Sequence, residues 1–518
     1  MADRYAQYSD LSEDDIANVM NEIRVYETAV TAVDAEIQEL AKQAAILRHK
    51  KNRFMELIAQ CRGRITLALR VPDEILAVIF EHCSASGWYR APLTLSHVCR
   101  KWRQAAMTPS VFSRVHLWSD SRDPVAKTQL WLSRALNAHL YITVDIDVID
   151  EHVLSALDLL VNRADQWVSF ELNTRHITQA NDILSLCTRP IPRLFHLSLS
   201  CLDEGDDLIN GSPGISVLVT VFNDAPNLRT VDIFTNRFPP QYPMQVHNLS
   251  LQLHPSATTW LAEAAMAMPF SHLSNLPSLV SLVLTTPFDY GSLFDDTTPM
   301  TTLPHLEHLT LNSHRASMEI LRYITAPRLR SLRIRSTEPP LSHPHEPTGL
   351  ALLQFLRNSS PPLNHLELHD VDIPLGDYLE SFTLLPALET LRLHETEIPD
   401  EAFIALHGST GLCPNLIRLD LRWCEQLAGS ALVDFVASRR SPHYRPIEFI
   451  RVINCAVVKE NDVLALARMT TCSVVVKEVD DYCRSKGCCN NARYRQRMRL
   501  RHINELSDQE EPLDLILN

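Results

Sequence analysis

Residues 386–393 read PALETLRL, and residues 414–421 read PNLIRLDL. Both follow one phrase: proline, any residue, leucine, two residues, then two apolar residues one apart. The phrase also occurs at 192–199 (PRLFHLSL), 226–233 (PNLRTVDI), 277–284 (PSLVSLVL), 304–311 (PHLEHLTL) and 327–334 (PRLRSLRI). Leu363 with Leu366 and Leu368 gives another copy, and Ile447, Ile450 and Val452 give one without the leading proline. Weaker versions start at Tyr141 and Trp167. Alternation of apolar and other residues predicts a short strand with one buried face. No single copy can bury that face alone, so the copies must stack.

The segments between copies predict returns over the outside of the stack. Leu261–Met268, Ala351–Arg357, Glu401–His407 and Ser430–Ser438 have helical spacing, while Asp203–Gly214, Thr286–Thr302 and Glu338–Gly349 read as rim loops. The L-x-x-L-x-L unit resembles a leucine-rich repeat of irregular length. Cys424 and Cys455 follow their strands as in the cysteine-containing members of that family. There they are expected to act as small buried residues with a weak donor.

Upstream, residues 71–83 read VPDEILAVIFEHC and residues 93–117 read LTLSHVCRKWRQAAMTPSVFSRVHL. Pro72 suits a helix start, and Asp73 and Glu74 suit the first turn. Ile75, Leu76, Ile79 and Phe80 recur at helical spacing as one apolar face. Gly87 and Pro92 predict a break, followed by a second helix with Leu95, Val98, Cys99 and Trp102 on one face. The order Pro-Asp-Glu, Ile-Leu, Phe, then Val-Cys-Arg-x-Trp resembles the F-box. Val71 and Phe112 depart from the family's usual Leu and Trp. The resemblance implies a non-catalytic protein. Pro72, Ile75, Leu76, Ile79, Phe80, Leu95, Val98 and Trp102 would contact the adaptor of an SCF-type (cullin-RING) ubiquitin ligase, and the repeats would hold a protein substrate.

Residues 13–62 contain no proline or glycine, and apolar residues recur there in alternating steps of three and four. Ile16, Val19, Ile23, Tyr26, Val30, Val33, Ile37, Leu40, Ala44, Leu47, Phe54, Ile58 and Cys61 form the seam, interrupted by Lys51. This heptad predicts one long helix ending at Gly63 that pairs in a coiled-coil homodimer or folds back on its own chain.

The 518 residues suffice for several domains, 45% are apolar, and the formal net charge is −14. An acidic balance argues against general nucleic-acid binding. No run approaches the roughly 18 apolar residues of a membrane helix. Residues 1–15 lack a signal-peptide core, and the 12 cysteines are scattered, so a reducing cytoplasm or nucleus is expected. Cys483, Cys488, Cys489 and His502 lack a zinc-site spacing. Arg493 to Arg501 form a basic segment that suits the solvated face of a helix or a nuclear localisation signal. No metal, cofactor or catalytic constellation is expected.

Residues between and after the repeat leucines predict the exposed sheet face. His196, Ser198, Thr230, Asp232, Ser281 and Thr310 occupy its early part. Arg333, Arg335, Arg392, Arg418, Arg422, Trp423 and Arg451 make the later part basic, with His365, Glu367, His369, His394, Glu395 and Asp420 interspersed. Arginines suit bidentate binding of carboxylate or phosphate, so substrate-binding there predicts an acidic or phosphorylated degron. The competing expectation is a face whose charges pair among themselves. The expected architecture is α/β. It comprises a coiled-coil helix (1–66), an F-box (67–118), an irregular leucine-rich repeat solenoid with strands inside and helices outside (119–478) and a charged tail (479–518). A coiled-coil scaffold with a vestigial F-box and an enzyme built on the rim loops are the rival expectations.

Overall fold

The computed structural model describes residues 12–65, 70–119, 122–202, 215–236, 238–253, 273–274, 276–286, 300–314, 316–337, 346–424, 426–440, 444–453, 455 and 457–475. The helix expected at 261–268, most of the three expected rim loops, and the tail with Cys483, Cys488, Cys489, His502 and Arg493 to Arg501 lie outside these residues. The chain divides into two compact units, residues 1–82 with 93–106 and residues 83–92 with 107–518.

The first unit is helical. Helix α1 spans Glu13–Ile65. Ser12 and Asp15 cap its start reciprocally, the Ser12 hydroxyl accepting from Asp15 N at 3.2 Å and the Asp15 carboxylate accepting from Ser12 N at 3.3 Å. The helix ends at Ile65, two residues past the Gly63 at which a stop was expected, within the usual fraying of a helix end. Its seam residues from Ile16 to Ile58 are almost all exposed. Helix α2 spans Asp73–Ala85, and the carbonyl of Pro72 accepts from Leu76 N at 3.0 Å. The expected second helix is two short ones, α3 (Ala91–Ser96) and α4 (Arg100–Ala106). Polar groups break it. The Ser96 hydroxyl turns back to Leu93 O at 2.7 Å, Arg103 Nε holds Ser96 O at 2.9 Å, and Cys99 Sγ receives Trp102 N at 3.5 Å in the manner of an N-cap.

The second unit carries one 14-stranded sheet, parallel throughout, in which strand order follows chain order. Its strands are β1 (Arg114–Trp118), β2 (Leu140–Ile146), β3 (Trp167–His176), β4 (His196–Leu202), β5 (Thr230–Thr235), β6 (Asn248–Leu253), β7 (Ser281–Thr286), β9 (His308–Ser313), β11 (Ser331–Ser336), β12 (His365–His369), β13 (Thr390–His394), β14 (Arg418–Arg422), β15 (Phe449–Ile453) and β16 (Thr471–Val475). Two short strands, β8 (Thr301–Thr302) and β10 (Ile324–Thr325), pair apart from it.

The proline phrase shapes each entry into the sheet. In seven copies the leucine N–H bonds the carbonyl three residues back, as from Leu388 to Leu385 and from Leu416 to Cys413. The proline thus sits second in a tight turn, where its fixed φ is already correct. The leucine closing each turn and the two inward residues of each following strand are buried. Equivalent leucines lie side by side in register, Leu366 beside Leu391 beside Leu419 beside Ile450. Returning segments include helices Glu346–Ser359, Leu375–Thr383, Asp400–Ala405, Gly429–Ser438 and Glu460–Ala467. Cys424 and Cys455 are buried, and their thiols face the carbonyls of Leu393 and Leu421 on the preceding strands, at 3.4 and 3.8 Å.

Three strands go beyond the repeat phrase. β1 lies in the segment read as the end of the F-box. β6 follows Pro-Met-Gln-Val, one residue longer than the usual phrase. β16 has no proline turn before it.

Candidate functional site

Two surfaces are built from the residues singled out above, one in each unit. On α2 the apolar residues form two stripes, not one face. Leu76, Ala77 and Phe80 are buried. Ile75, Val78 and Ile79 are exposed at 51%, 50% and 45%, on the side of the helix that i, i+3, i+4 spacing defines. Val98, between α3 and α4, is 58% exposed, and Leu95 is buried. Trp102 is half-buried, its ring 5.1 Å from that of Phe80. Leu76, Phe80 and Leu95 therefore hold the helices in place and do not present a contact. Pro72, Ile75, Ile79 and Val98 remain exposed, and Val78 joins them. Lys101 Nζ lies 3.8 Å from Asp73, tying α4 to the start of α2.

A short helical group with a packed aromatic pair and an exposed aliphatic stripe needs something to cover that stripe. Residues 68–118 match the F-box-like family. No curated protein matches the chain. The F-box-like domain thus includes α2, α3, α4 and β1, and the chain is mixed α/β, with a long N-terminal helix and, later in the sequence, a parallel sheet.

The second surface is the sheet face bearing the residues between the leucines. Across β11 to β15 it carries six arginines, Arg333, Arg335, Arg392, Arg418, Arg422 and Arg451, against the carboxylates Glu367 and Asp420. Register places Arg333, Glu367, Arg392, Asp420 and Arg451 in one row across five strands, so charge alternates along it. Glu367 is met by Arg333 Nε at 3.6 Å, Arg392 Nη1 at 3.4 Å and His365 Nε2 at 3.4 Å. Asp420 accepts both nitrogens of the Arg422 fork at 2.9 Å and Arg451 Nη1 at 3.4 Å. Much of the charge pairs internally, and yet an excess of arginine remains. Arg335 and Arg418 are exposed, with no ion pair among the described residues.

Electrostatics follow from this layout. The hydrogen bond from His365, then the nearby His394, Arg333 and Arg392, hold the Glu367 carboxyl down to about 2 against the opposing effect of burial. Burial, then the Arg422 guanidinium, pushes His394 down to about 4, so it is neutral near pH 7. The hydrogen bond to Asp420 raises Arg422 further. A cleft of about 330 Å³ opens in this zone, lined by Thr390, Arg392, Arg418, Asp420, Phe449 and Arg451.

The rim beside the cleft has a feature that residue types did not reveal. Asp370, Glu395 and Trp423 directly follow β12, β13 and β14, and all take left-handed φ, at 56°, 52° and 53°. Each N–H bonds the next strand's carbonyl, Asp370 to His394, Glu395 to Arg422 and Trp423 to Ile453. The backbone turns sharply there, and His369 Nε2 meets Glu395 at 3.0 Å. Trp423 is half-buried at this bend.

Sequence spacing also missed a polar chain on the early strands. Ser169 Oγ lies 3.0 Å from His196 Nδ1, and His196 Nε2 lies 2.8 Å from Asp232. The residue types match a hydrolytic triad. However, they lie one per strand on three adjacent strands, where backbone N–H groups serve the sheet and not an oxyanion. Among the described residues, no cluster of three His, Cys, Asp or Glu side chains could hold a metal, and no helix is long and apolar enough to cross a membrane.

Proposed function

We propose that the protein is a substrate receptor of an SCF-type ubiquitin ligase. The observation that carries this reading is the bare stripe of Ile75, Val78, Ile79 and Val98 on the F-box-like domain. That stripe docks the adaptor, and through it the cullin, by burying aliphatic surface. The sheet works as a leucine-rich repeat array that selects a protein substrate in the cytoplasm or nucleus. Its later face takes an acidic or phosphorylated segment, with Arg418 supplying an uncommitted guanidinium in the cleft and Arg333, Arg335, Arg392, Arg422, Arg451 and Trp423 around it. The protein itself catalyses no step.

Co-purification with adaptor and cullin tests the first half. Ile75→Asp with Ile79→Asp is the informative variant, because Phe80 is 1% exposed and its replacement would unfold the helices. The native chain should capture the adaptor and the folded variant should lose at least tenfold; equal capture would reject the stripe as the docking surface, and none by either would favour the scaffold reading. An acidic peptide tests the second half. Arg418→Ala should leave stability within about 0.5 kcal/mol while weakening peptide binding several-fold by titration calorimetry. Unchanged affinity would reject the cleft.

A further inference from the structure

The apolar seam of α1 is bare and its charge is divided by half. From Glu13 to Glu39 eight acidic residues face Arg24 as the lone base; from Leu40 to Arg62 six lysines and arginines face Glu56 as the lone acid. The helix dipole accounts for Glu13, Asp14 and Asp15 but fades within one turn, so it leaves Glu22 to Glu39 unexplained. The seam alternates steps of three and four without a break from Ile16 to Cys61, which fixes a left-handed supercoil with a partner of similar length.

We propose that the occupant of this seam is a second copy of the chain, running antiparallel. Reversed and centred, the seam pairs with itself in complete layers: Ile16 against Cys61 of the second copy, Ile23 against Phe54, Val30 against Leu47, and Ile37 against Leu40. The lone charged seam residue, Lys51, then lies against Tyr26, an aromatic face that suits an ammonium group. Flanking positions bring Glu27 toward Arg48 and Glu22 toward Lys50. A parallel pair would instead stack the two Lys51 side chains, place Glu22 beside Glu27, and lay acidic half on acidic half. The proposal does not depend on the ligase reading, because it concerns α1 alone.

Cysteine cross-linking on the full-length chain distinguishes the orientations. Cys61 is exposed and occupies the seam. In the antiparallel pair the two Cys61 thiols stand about 68 Å apart, the rise of the helix from residue 16 to 61 at 1.5 Å per residue. Mild oxidation of the native protein should therefore give no Cys61–Cys61 link. The Ile16→Cys variant should instead form a disulfide between its introduced thiol on one chain and Cys61 on the other, read by peptide mass spectrometry. Sedimentation should report a dimer at micromolar concentration. Glu22→Lys with Glu27→Lys should weaken the dimer about tenfold, and adding Arg48→Glu with Lys50→Glu should restore it. A parallel pair would exchange one repulsion for another and show no such loss. A Cys61–Cys61 link, a link within one chain, or a monomer at every concentration would overturn the proposal.

Discussion

Glu367 and His394 lie on neighbouring strands of one charged face, and both resist protonation for different reasons. Glu367 titrates near 2 because His365 and two arginines stabilise its anion, and His394 titrates near 4 because burial and Arg422 penalise its cation. In both cases the unfolded chain binds the proton first, so stability falls as pH falls. For His394 the loss runs between pH 6.5 and about 4; for Glu367 it runs between about 4.5 and 2. His394→Asn should flatten the denaturant midpoint across the upper window, and Glu367→Gln across the lower one, each measured against the native chain. A variant that steepened its window would reverse the assigned sign. The non-glycine bends at Asp370, Glu395 and Trp423 each carry about 1–2 kcal/mol of backbone strain. They recur at equivalent places, so the repeats hold them rather than any one side chain.

The strands were legible because P-x-L-x-x-L-x-L joins a turn preset by proline to a period of two. β6 escaped because Val246 replaces the turn leucine and the turn holds an extra residue. β1 was placed at the close of the F-box, not in the sheet, because the extended apolar segment holding Val115 and Leu117 has no proline-and-leucine turn before it. On α2 the period of 3.6 was visible, but its two stripes were not: Ile75 and Leu76 are adjacent in sequence and equally apolar, and only packing decides which is buried. Arg439 was invisible to pattern. It ends the helix Gly429–Ser438, is fully buried, and donates to the carbonyls of Leu406, Cys413 and Leu412 at 2.9, 2.9 and 2.7 Å. One guanidinium thus satisfies the backbone of the preceding repeat. Arg439→Met should cost about 2 kcal/mol by removing the donor to the carbonyls of Leu406 and Leu412, while Cys413 keeps the Leu416 N–H; the loss is seen as a lower urea midpoint. A change below about 1 kcal/mol would mean that water or a neighbour replaces it.

In the second unit each strand of the sheet pairs only with its chain neighbours. Stability in such an array is a sum of local and nearest-neighbour contributions. Leu393→Ala should therefore raise amide exchange in β12, β13 and β14 and leave β2 to β4 unchanged, as read by exchange mass spectrometry. Uniform loss of protection would show a single cooperative body instead. The same one-dimensional order sets a length scale on the charged row. Strands lie about 4.8 Å apart, and a polyproline-II chain advances about 3.1 Å per residue with three residues per turn. Arg333, Arg392 and Arg451 stand on alternate strands, so like charges recur about every 9.6 Å, nearly one turn of three residues in a polyproline-II chain, which returns every third side chain to the same side. The face is thus a ruler with a three-residue pitch: a peptide laid across the strands stays in phase with it when its acidic groups fall at every third position, and drifts out of phase at every second or fourth.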